Sequence, residues 1–471
     1  MSLSPILTAD QADFAMAELK PALTDQEASI EAHRCLYCFD APCIMACPTG
    51  IDVPGFIQKI AADNVKGSAR TILSANILGN SCARVCPTKV LCEGACVLED
   101  RDQQPIDIGR LQRYATDAVM ASGEQVVEVA ATKSGNKVAL VGGGPASLGC
   151  AAELVRRGHD AVVFERKHQA GGLNTHGIAY YKMKPEVSLE EVTMIENLGV
   201  EFRYGAEVGV TVSMNELRAE FDAVFLGIGL GEGRQLGLPG EDLPEVTGAI
   251  DFIEQIHTLP LHEVPVGKRV VVLGCGNTAI DAVSQARRLG AESAMILYRR
   301  SAEEMSAYGF EFALAKSEQC EFMFNVAPVA IEEKDGHVSG VRLARTDENG
   351  QPIAGTEFVE PCDMVIQALG QTKMQDKLGA WLPELKFGEG GKIDIDPETQ
   401  LTSIPGVYAG GDAANGGAEV VNAVADGKRA ALHLHQQFTG EIALPTTQTT
   451  RYGASSNPYG SGFNQPIRVK G

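Results

Sequence analysis

Eight of the twelve cysteines in this chain of 471 residues lie close together, between residues 35 and 96. The first group has the pattern Cys-x2-Cys-x4-Cys-x3-Cys-Pro, and the second has Cys-x3-Cys-Pro-x4-Cys-x3-Cys. Short loops let several sulfurs meet at one cubane, and in two-cluster proteins the cysteine before proline ligates the other cluster. Thiolates are soft, anionic ligands that suit such clusters. The spacing therefore predicts two [4Fe-4S] clusters.

Two structural zinc sites are the alternative for these cysteines. Zinc favours paired CxxC knuckles that each supply half of a tetrahedral site, and the eight clustered cysteines contain one CxxC.

A disulfide framework would belong to a secreted domain, and the N-terminus lacks the basic and apolar stretches of a secretory signal. No apolar run approaches the roughly 18 residues that span a bilayer. We therefore expect a cytoplasmic protein.

The overall composition excludes some classes of partner. The formal net charge is −21, which argues against binding to nucleic acid or to an anionic membrane surface. Hydrophobic residues make up 44% of the chain, enough for sizeable cores. The composition is that of a folded enzyme of two to four domains.

A glycine-rich turn predicts a first dinucleotide site. The segment VALVGGGPAS (Val138–Ser147) places three glycines between a buried strand and a helix. Glycines let the backbone approach a pyrophosphate, which binds at the positive N-terminus of the helix. The next strand, AVVFE, ends at Glu165, where a carboxylate can accept hydrogen bonds from a ribose diol. Gly171-Gly172-Leu173 follows, as expected for a site of this kind.

A second turn of the same kind is VVVLGCGNTAID (Val270–Asp281), with Gly274 and Gly276. Its second strand, AMILY, is followed by Arg299 and Arg300 rather than by an acid. An acid at this place binds the ribose 2′-hydroxyl of NAD, whereas arginines can hold the 2′-phosphate of NADP. Taken alone, this spacing leans toward NADP; the alternative is a basic, solvated strand end.

A third segment, GVYAGGDAAN, places Gly411 and Asp412 after a strand and before the apolar helix 420–432. In flavoproteins with two dinucleotide sites this combination meets the flavin.

No CxxC or Cys-x4-Cys occurs in residues 132–471, so disulfide reductase activity is excluded. Hydride transfer depends on the placement of nicotinamide against flavin, and we nominate no catalytic acid or base.

The elements that position these residues suggest three domains and a tail. Residues 1–131 are expected to form a helical iron–sulfur domain. The strands and helices that follow alternate, which predicts parallel sheets and two α/β Rossmann-like domains. We expect a discontinuous FAD-binding domain (132–258 and 373–439) with an NAD(P)-binding domain (259–372) inserted into it. Residues 440–471 form a polar tail that could dock a partner.

The segments RCLYCFDAPCIMACPTGIDVPGF, SCARVCPTKVLCEGACVL, PIDIGRLQRYATD and VGGGPAS together resemble the N-terminal half of dihydropyrimidine dehydrogenases. More broadly, the chain resembles the glutamate synthase small subunit family, from about Ala28 to about His435. The resemblance implies a helical double [4Fe-4S] domain followed by FAD and NAD(P) domains, in agreement with the patterns above.

The resemblance also implies ligands for each cofactor. One cluster would be held by Cys35, Cys38, Cys43 and Cys96, and the other by Cys47, Cys86, Cys92 and Gln112, with Cys82 binding neither. The implied FAD residues are Gly142, Gly143, Gly144, Pro145, Ala146, Ser147, Glu165, Gly172, Leu173, Lys182, Val208, Gly411 and Asp412. The implied NAD(P) residues are Gly274, Cys275, Gly276, Asn277, Thr278, Arg299, Arg300, Ala368 and Gly370.

Two positions refine the resemblance. The pyrimidine enzymes carry glutamine at the place of Gln112, whereas glutamate synthase small subunits typically carry glutamate there. The animal-type enzyme has a third basic residue for the 2′-phosphate where this chain has Ser306. Two-subunit bacterial relatives are NAD-dependent, so we expect NADH as the reductant, with NADPH as the alternative.

The expected function follows from the resemblance. The single-chain enzymes continue into an FMN barrel and a further iron–sulfur segment, and this chain does not. We therefore expect it to be the electron-input subunit of an NAD-dependent dihydropyrimidine dehydrogenase. Its partner would be the FMN- and Fe-S-containing catalytic subunit, which reduces uracil or thymine. The alternatives are a glutamate synthase small subunit and a non-catalytic redox sensor or assembly factor.

Overall fold

The structure is a computed structural model that describes residues 3–101 and 103–441. Its contacts divide the chain into two units. The larger unit contains residues 20–175, 185–230 and 373–441, and the smaller unit contains residues 3–19, 176–184 and 231–372. Most of the expected polar tail, from residue 442 onward, lies outside the described residues.

The α-helices are, in chain order, α1 Ala9–Ala15, α2 Asp25–His33, α3 Pro42–Met45, α4 Val53–Ala61, α5 Val65–Ala75, α6 Gly79–Val85, α7 Ile108–Ser122, α8 Pro145–Arg156, α9 Leu173–His176, α10 Pro185–Asn197, α11 Met214–Glu220, α12 Ala249–Thr258, α13 Asn277–Arg288, α14 Gly309–Ser317, α15 Gln375–Trp381, α16 Asp412–Asn415 and α17 Val420–Thr439. The β-strands are β1 Lys137–Val141, β2 Asp160–Glu165, β3 Glu201–Tyr204, β4 Ala223–Leu226, β5 Val246–Gly248, β6 Arg269–Leu273, β7 Ser293–Tyr298, β8 Glu321–Phe324, β9 Val326–Lys334, β10 His337–Arg345, β11 Phe358–Glu360, β12 Met364–Gln367 and β13 Val407–Ala409.

The larger unit is built on a parallel sheet with the strand order β13-β4-β1-β2-β3. Apart from the exposed Lys137 at the start of β1, strands β1 and β4 consist of buried apolar residues, as parallel strands covered by helices require. Helices α8 and α17 pack against one another beside this sheet. Strand β13 completes the sheet although it follows every strand of the smaller unit in the sequence.

The helices that carry the cysteines belong to the same larger unit. One continuous apolar core joins them to the sheet, with Phe56 and Leu111 on the helical side and Leu148 and Phe225 on the sheet side. Helix α2 begins at a capping box in which Thr24 and Glu27 satisfy each other's backbone N–H groups. Because these helices and the sheet share a core, burial of apolar surface holds the cysteine groups at fixed positions in the unit.

The smaller unit has two sheets. The first is parallel, with the order β5-β12-β6-β7-β8. The second is antiparallel, with the order β11-β10-β9. Asp335 and Gly336 join β9 to β10 with positive φ angles of 56° and 80°, as in a two-residue hairpin turn. The first sheet confirms the predicted α/β fold, and the second was not predicted, although its Asp-Gly pair is a hairpin signal.

Three segments group differently from the expected domain bounds, and one of them, residues 176–184 of the expected FAD domain, lies in the smaller unit. Residues 3–19 lie in the smaller unit, where Ala12 and Met16 are buried in the core beside Leu261 and Val264. Residues 231–258, which were expected in the FAD domain, also lie in the smaller unit, where β5 pairs with β12. Apolar side chains of α1 and a strand pairing determine the positions of the last two segments, and neither leaves a signal in local periodicity.

Candidate cofactor sites

Four cysteines surround a first space of about 370 Å³. Cys35 and Cys38 follow the end of α2, and Cys43 lies in α3. The fourth, Cys96, comes from a loop more than fifty residues further along the chain. These are the four cysteines that the resemblance assigns to one cluster. The remaining wall is apolar, formed by Leu36, Ala41, Pro42, Val53, Pro54, Ile57, Ala95, Val97, Leu98, Ile106 and Ile108.

The electrostatics of this first space suit a bound cation. Burial, followed by the neighbouring sulfurs of the other three cysteines, raises the pKa of the Cys43 thiol to about 12. Thiols crowded in an apolar space resist ionisation, whereas a metal centre binds them as thiolates and offsets their charge. The donor set therefore fits a thiolate-ligated cluster.

A second space of about 350 Å³ contains the other group. It is lined by Cys47, Cys82, Cys86, Cys92 and Gln112, together with Pro48, Ile51, Asn76, Thr88, Leu91, Gly109 and Val421. Burial raises the pKa of Cys92 well above its ordinary value. A hydrogen bond with Cys82, followed by burial, does the same to the pKa of Cys86. Five candidate donors thus stand around a site for which four ligands are expected.

Gln112 reaches the second space from helix α7. Its side chain is buried, and its Nε2 donates a hydrogen bond of 2.6 Å to the carbonyl oxygen of Gly79. This bond fixes the plane of the amide and leaves Oε1 as the atom that could act as a ligand. The assignment of Gln112 over Cys82 as fourth ligand stays a prediction.

Both spaces suit a group of several atoms. Within residues 3–101 and 103–441, no three His, Cys, Asp or Glu side chains stand at the spacing that a single metal ion needs. The thiols instead surround cavities, as ligands at the corners of a cluster do.

The first glycine turn has the geometry of a pyrophosphate site. Gly142 has a φ of 88°, and a Cβ added there would lie 2.8 Å from the carbonyl oxygen of Gly227, so only glycine fits. Helix α8 begins at Pro145, and its first-turn N–H groups have no partners within the helix. The hydroxyl of Ser147 is fully buried and has no hydrogen-bond partner among the described residues. An anion with acceptor oxygens would satisfy these donors.

Glu165, the acid that is expected to bind the ribose, also forms a hydrogen bond with the glycine turn. Glu165 accepts hydrogen bonds from the N–H groups of Gly143 (2.7 Å) and Lys167 (2.7 Å), one on each oxygen. Each carboxylate oxygen has a second lone pair, so hydroxyl donors can still bind. Gly172 approaches so closely that an added Cβ would lie 2.9 Å from the Cα of Gly144. The glycine turn, Glu165 and Gly172 therefore form one site.

The segment around Asp412 lies in the same unit. Gly411 has a φ of 68°, and its N–H donates to Asp426 (2.9 Å). Asp412 accepts a hydrogen bond from the N–H of Ala418 (3.1 Å), and burial raises the pKa of its carboxyl group. Of the other predicted FAD residues, Leu173 begins α9 and Val208 is buried in the core beside the sheet.

Lys182 is placed differently from the other predicted FAD residues. It belongs to the smaller unit, where its Nζ lies 2.7 Å from Asp281 and 2.8 Å from Glu311. Burial lowers the pKa of this lysine, but the two carboxylates outweigh burial and the net shift is upward. Its positive charge is therefore engaged within the smaller unit, and the predicted FAD contact stays a prediction.

The second glycine turn lies in the smaller unit. Gly274 has a φ of 114°, and an added Cβ would lie 2.3 Å from the carbonyl oxygen of Ala368. Helix α13 begins after Gly276, with Asn277 and Thr278 in its first turn. Cys275 is buried, which raises its thiol pKa to about 11, so the thiol is unreactive at neutral pH. Gly370, which was also predicted, accepts a hydrogen bond from the N–H of Arg234 (2.9 Å).

The two arginines after β7 are both exposed. Arg300 lies 3.9 Å from Glu304, and both side chains of this ion pair are nearly half exposed, so the pair is weak. Ser306 lies beside the turn, with its hydroxyl 3.5 Å from the carbonyl oxygen of Cys275. The strand end thus offers two accessible cations and one hydroxyl group to a ribose or a 2′-phosphate.

Comparison with known proteins identifies the fold family. Residues 136–427, more than half of the chain, match the family model described as pyridine nucleotide-disulphide oxidoreductase. The chain belongs to this family. Residues 12–124 of the oxidoreductase match a second model, described as dihydropyrimidine dehydrogenase domain II, 4Fe-4S cluster. The predicted cofactors are therefore confirmed: this NAD(P)H-dependent oxidoreductase binds FAD, a nicotinamide nucleotide and 4Fe-4S clusters.

Two curated relatives are similar over nearly the whole oxidoreductase. The glutamate synthase [NADPH] small chain of Halomonas elongata is 36% identical over 436 residues, which cover 88% of this chain and 91% of the relative. The NAD-dependent dihydropyrimidine dehydrogenase subunit PreT of Escherichia coli is 34% identical over 423 residues, covering 90% and 97%. The two identities are too close to decide between these relatives.

One solved structure illustrates the fold. Thioredoxin reductase of T. acidophilum superposes with a TM-score of 0.52 at 22% identity, covering 64% of this oxidoreductase and 97% of that chain. This likeness concerns the fold alone, which it confirms. Within residues 3–101 and 103–441, no helix of the oxidoreductase is both long and apolar enough to cross a membrane.

Two buried charged residues that bond the segments beside Asn76 and Cys82 were not predicted. Glu191 of α10 is fully buried and accepts hydrogen bonds from the N–H groups of Asn80 (2.7 Å) and Ser81 (3.0 Å) at the start of α6. Burial raises its pKa to about 7 despite these bonds. Lys428 of α17 is also buried and donates to the carbonyl oxygen of Ala75. Both partners lie about a hundred residues or more away along the chain, so no local motif could reveal them.

Proposed function

We propose that this chain is the NAD(P)H-oxidising, electron-input subunit of a dihydropyrimidine dehydrogenase. Its partner would be an FMN- and Fe-S-containing catalytic subunit that reduces uracil or thymine to the 5,6-dihydro form. Bound at the sites described above, FAD would accept a hydride from the nicotinamide, and the clusters would carry the electrons singly toward the partner.

The observation that supports this proposal most is the glutamine at position 112. It lies in the wall of the second space, where its amide is fixed by the hydrogen bond to Gly79. Dihydropyrimidine dehydrogenases carry glutamine at this place, and glutamate synthase small subunits typically carry glutamate. A carboxylate would add a negative charge to a site that already contains several thiols, so the two residues are not equivalent here.

The residues of this chain would bind and orient the cofactors without acid–base chemistry. The glycine turn at Gly142 and the buried donor of Ser147 suit the pyrophosphate of FAD, and Asp412 suits its ribityl chain. The remaining cysteines, Cys150, Cys275, Cys320 and Cys362, are buried, and burial raises the pKa of each thiol. Thiol–disulfide exchange would need an accessible thiolate, so we do not propose it.

The loop between Cys35 and Cys43 is the proposed contact with the electron-accepting partner. Leu36 and Phe39 are 50% and 70% exposed in this loop, and Leu36 also lines the first space. Exposed apolar side chains beside a redox centre favour a protein partner that covers them. The two curated relatives are, by their names, a subunit and a small chain, which agrees with a heteromeric assembly.

We propose NADH as the preferred reductant. Arg299 and Arg300 could bind a 2′-phosphate, but Ser306 stands where the animal-type enzyme has a third basic residue. The substitution Ser306→Arg should therefore raise kcat/KM for NADPH while leaving the flavin content unchanged.

The glutamate synthase small subunit is the second candidate, favoured by the 36% identity to the Halomonas protein. One experiment separates the two functions. The purified chain is mixed with an FMN-containing dihydropyrimidine dehydrogenase subunit, and NADH-dependent uracil reduction is measured. In a parallel reaction it is mixed with a glutamate synthase large chain, and glutamine-dependent glutamate formation is measured. Uracil reduction alone supports the proposal, and glutamate formation alone refutes it.

A further inference from the structure

Asn76 is a buried side chain in the wall of the second space whose amide nitrogen has no partner. The residue follows helix α5, is completely buried, and lines the space with Cys47, Cys86 and Cys92. Among the described residues, no hydrogen-bond acceptor lies within reach of its Nδ2. A buried donor without an acceptor destabilises the fold, so such a group in a well-formed core calls for an explanation.

The orientation of this amide is fixed from its other side. The Oδ1 atom of Asn76 accepts a hydrogen bond of 3.1 Å from the N–H of Leu78, just before α6 begins. The preceding residue is held as well, because the buried Lys428 donates to the carbonyl oxygen of Ala75. The amide therefore cannot turn its oxygen and nitrogen around without losing the bond to Leu78, and its NH₂ group stays on the side away from that N–H.

We propose that the Nδ2 group of Asn76 donates an N–H···S hydrogen bond to the second cluster or to one of its cysteine ligands. Sulfur atoms are the acceptors that a bound cluster would bring into this space, and they would satisfy the unpaired donor. Hydrogen bonds to cluster sulfurs stabilise the more negative, reduced state, and so raise the reduction potential. Asn76 is thus a positioning and tuning residue for the second cluster, and it does not act as a ligand.

Among the described residues that line the first space, none is equivalent to Asn76. Apart from its four cysteines, every side chain that lines it is apolar. The proposed hydrogen bond is therefore specific to one of the two clusters, and the other cluster serves as an internal control in the same protein.

Two substitutions test the proposal. Asn76→Leu removes both the donor and the acceptor of Leu78 without adding charge, so it is the quantitative test. Asn76→Asp retains the acceptor and, above the pKa of the new carboxyl group, removes the donor and adds a negative charge that lowers the potential further. In a redox titration with europium(II) chelates, followed by EPR, Asn76→Leu should bind an electron at the second cluster about tenfold more weakly, a shift of about 59 mV for a one-electron couple, and Asn76→Asp more weakly still. The first cluster should not shift. Flavin and iron contents equal to those of the wild type show that the variants fold.

A control and a second measurement keep the test decisive. Gln285→Leu makes a comparable exchange at a fully buried amide of the smaller unit, which lines neither space, and should leave both potentials unchanged. In the oxidised protein, resonance Raman bands of the Fe–S bonds should shift on transfer to D₂O, and this shift should shrink in Asn76→Asp. An unchanged second cluster by either measurement in both Asn76 variants would overturn the proposal. The result does not depend on which partner receives the electrons, so it is separate from the proposed function.

Discussion

The two cysteine-lined spaces of the larger unit are similar in volume and different in character. The first has four cysteines in an apolar wall and lies beside the exposed side chains of Leu36 and Phe39. The second has four cysteines, Gln112, Asn76 and Thr88, and is also lined by Val421 at the start of α17. That helix follows the Asp412 segment, which is expected to meet the flavin.

This difference suggests that the two sites have different roles in electron transfer, although they share one continuous apolar core. A thiolate site in an apolar wall near the surface is suited to exchange electrons with another protein. A site with amide groups, next to the segment that is expected to hold the flavin, is suited to receive them. The sequence motifs are alike, so the difference comes from the surrounding walls and from the fourth ligand.

Removal of one cysteine should eliminate one cluster and leave the other. Cys43→Ala affects only the first space and Cys92→Ala only the second, so each should lower the iron content per flavin by about half. Iron analysis and EPR measure this. Cys150→Ala, at a buried cysteine away from both spaces, should leave the iron content unchanged. Loss of both clusters in Cys43→Ala would mean that the two sites are not independent.

The stability of the protein should depend on pH through Glu191. Burial raises its pKa from 4.5 to about 7 in the folded state. Protonated Glu191 therefore stabilises the fold fully below the pKa that it has in the unfolded chain. This contribution is lost as the pH rises through about 7. At about 1.4 kcal/mol per pKa unit, the free energy of unfolding should fall by roughly 3 kcal/mol across this pH range. Urea unfolding should show this slope in the wild type.

Glu191→Gln should flatten that slope, because its amide can accept from the N–H groups of Asn80 and Ser81 without titrating. Glu196→Gln, on the exposed face of the same helix α10, is the control and should retain the slope. A slope that persists in Glu191→Gln would assign the effect to another group.

Substitution of the exposed loop of the first space should weaken the reaction with the partner. Phe39→Ser removes an aromatic side chain of the kind that dominates interfaces, and we expect kcat/KM for the partner subunit to fall about tenfold. Dye reduction by NADH should not change. Phe14→Ser, at an exposed phenylalanine of the smaller unit, is the matched control. An equal loss in both variants would remove the loop from the proposed interface.

The smallest effect is expected at Cys82. If Gln112 is the fourth ligand of the second cluster, Cys82→Ala should retain the iron content and shift the potential of that cluster only slightly. Loss of the second cluster in this variant, with Gln112→Ala tolerated, would exchange the roles of the two residues.

Much of the fold was predictable because local sequence patterns determine it. The glycines at 142–144 and at 274 and 276 follow buried strands, and both turns lie where the strand–glycine–helix pattern places them. The cysteine spacing predicted clusters, and the match to a 4Fe-4S family model confirms them. Local periodicity and turn chemistry act within about twenty residues, the range over which a sequence can be interpreted without its tertiary contacts.

The rest depends on long-range partners. Glu191 contacts Ser81 across 110 positions, and Lys428 reaches Ala75 across 353. The unpaired donor of Asn76 is visible only once the space around it is formed. The position of α1 in the smaller unit depends on Met16, an apolar residue whose partners are more than two hundred residues away. Burial and polar satisfaction in three dimensions decide these features, and no motif encodes them.

We propose that electrons from NADH leave this chain through both cysteine sites and reduce a pyrimidine on a partner. The most direct test is NADH-dependent uracil reduction by the chain together with an FMN-containing catalytic subunit, measured for the wild type, Cys43→Ala and Cys92→Ala. We predict that the wild-type pair reduces uracil, whereas both variants retain NADH–dye reduction and lose uracil reduction. Undiminished uracil reduction by either variant, or none by the wild-type pair, would contradict this electron path.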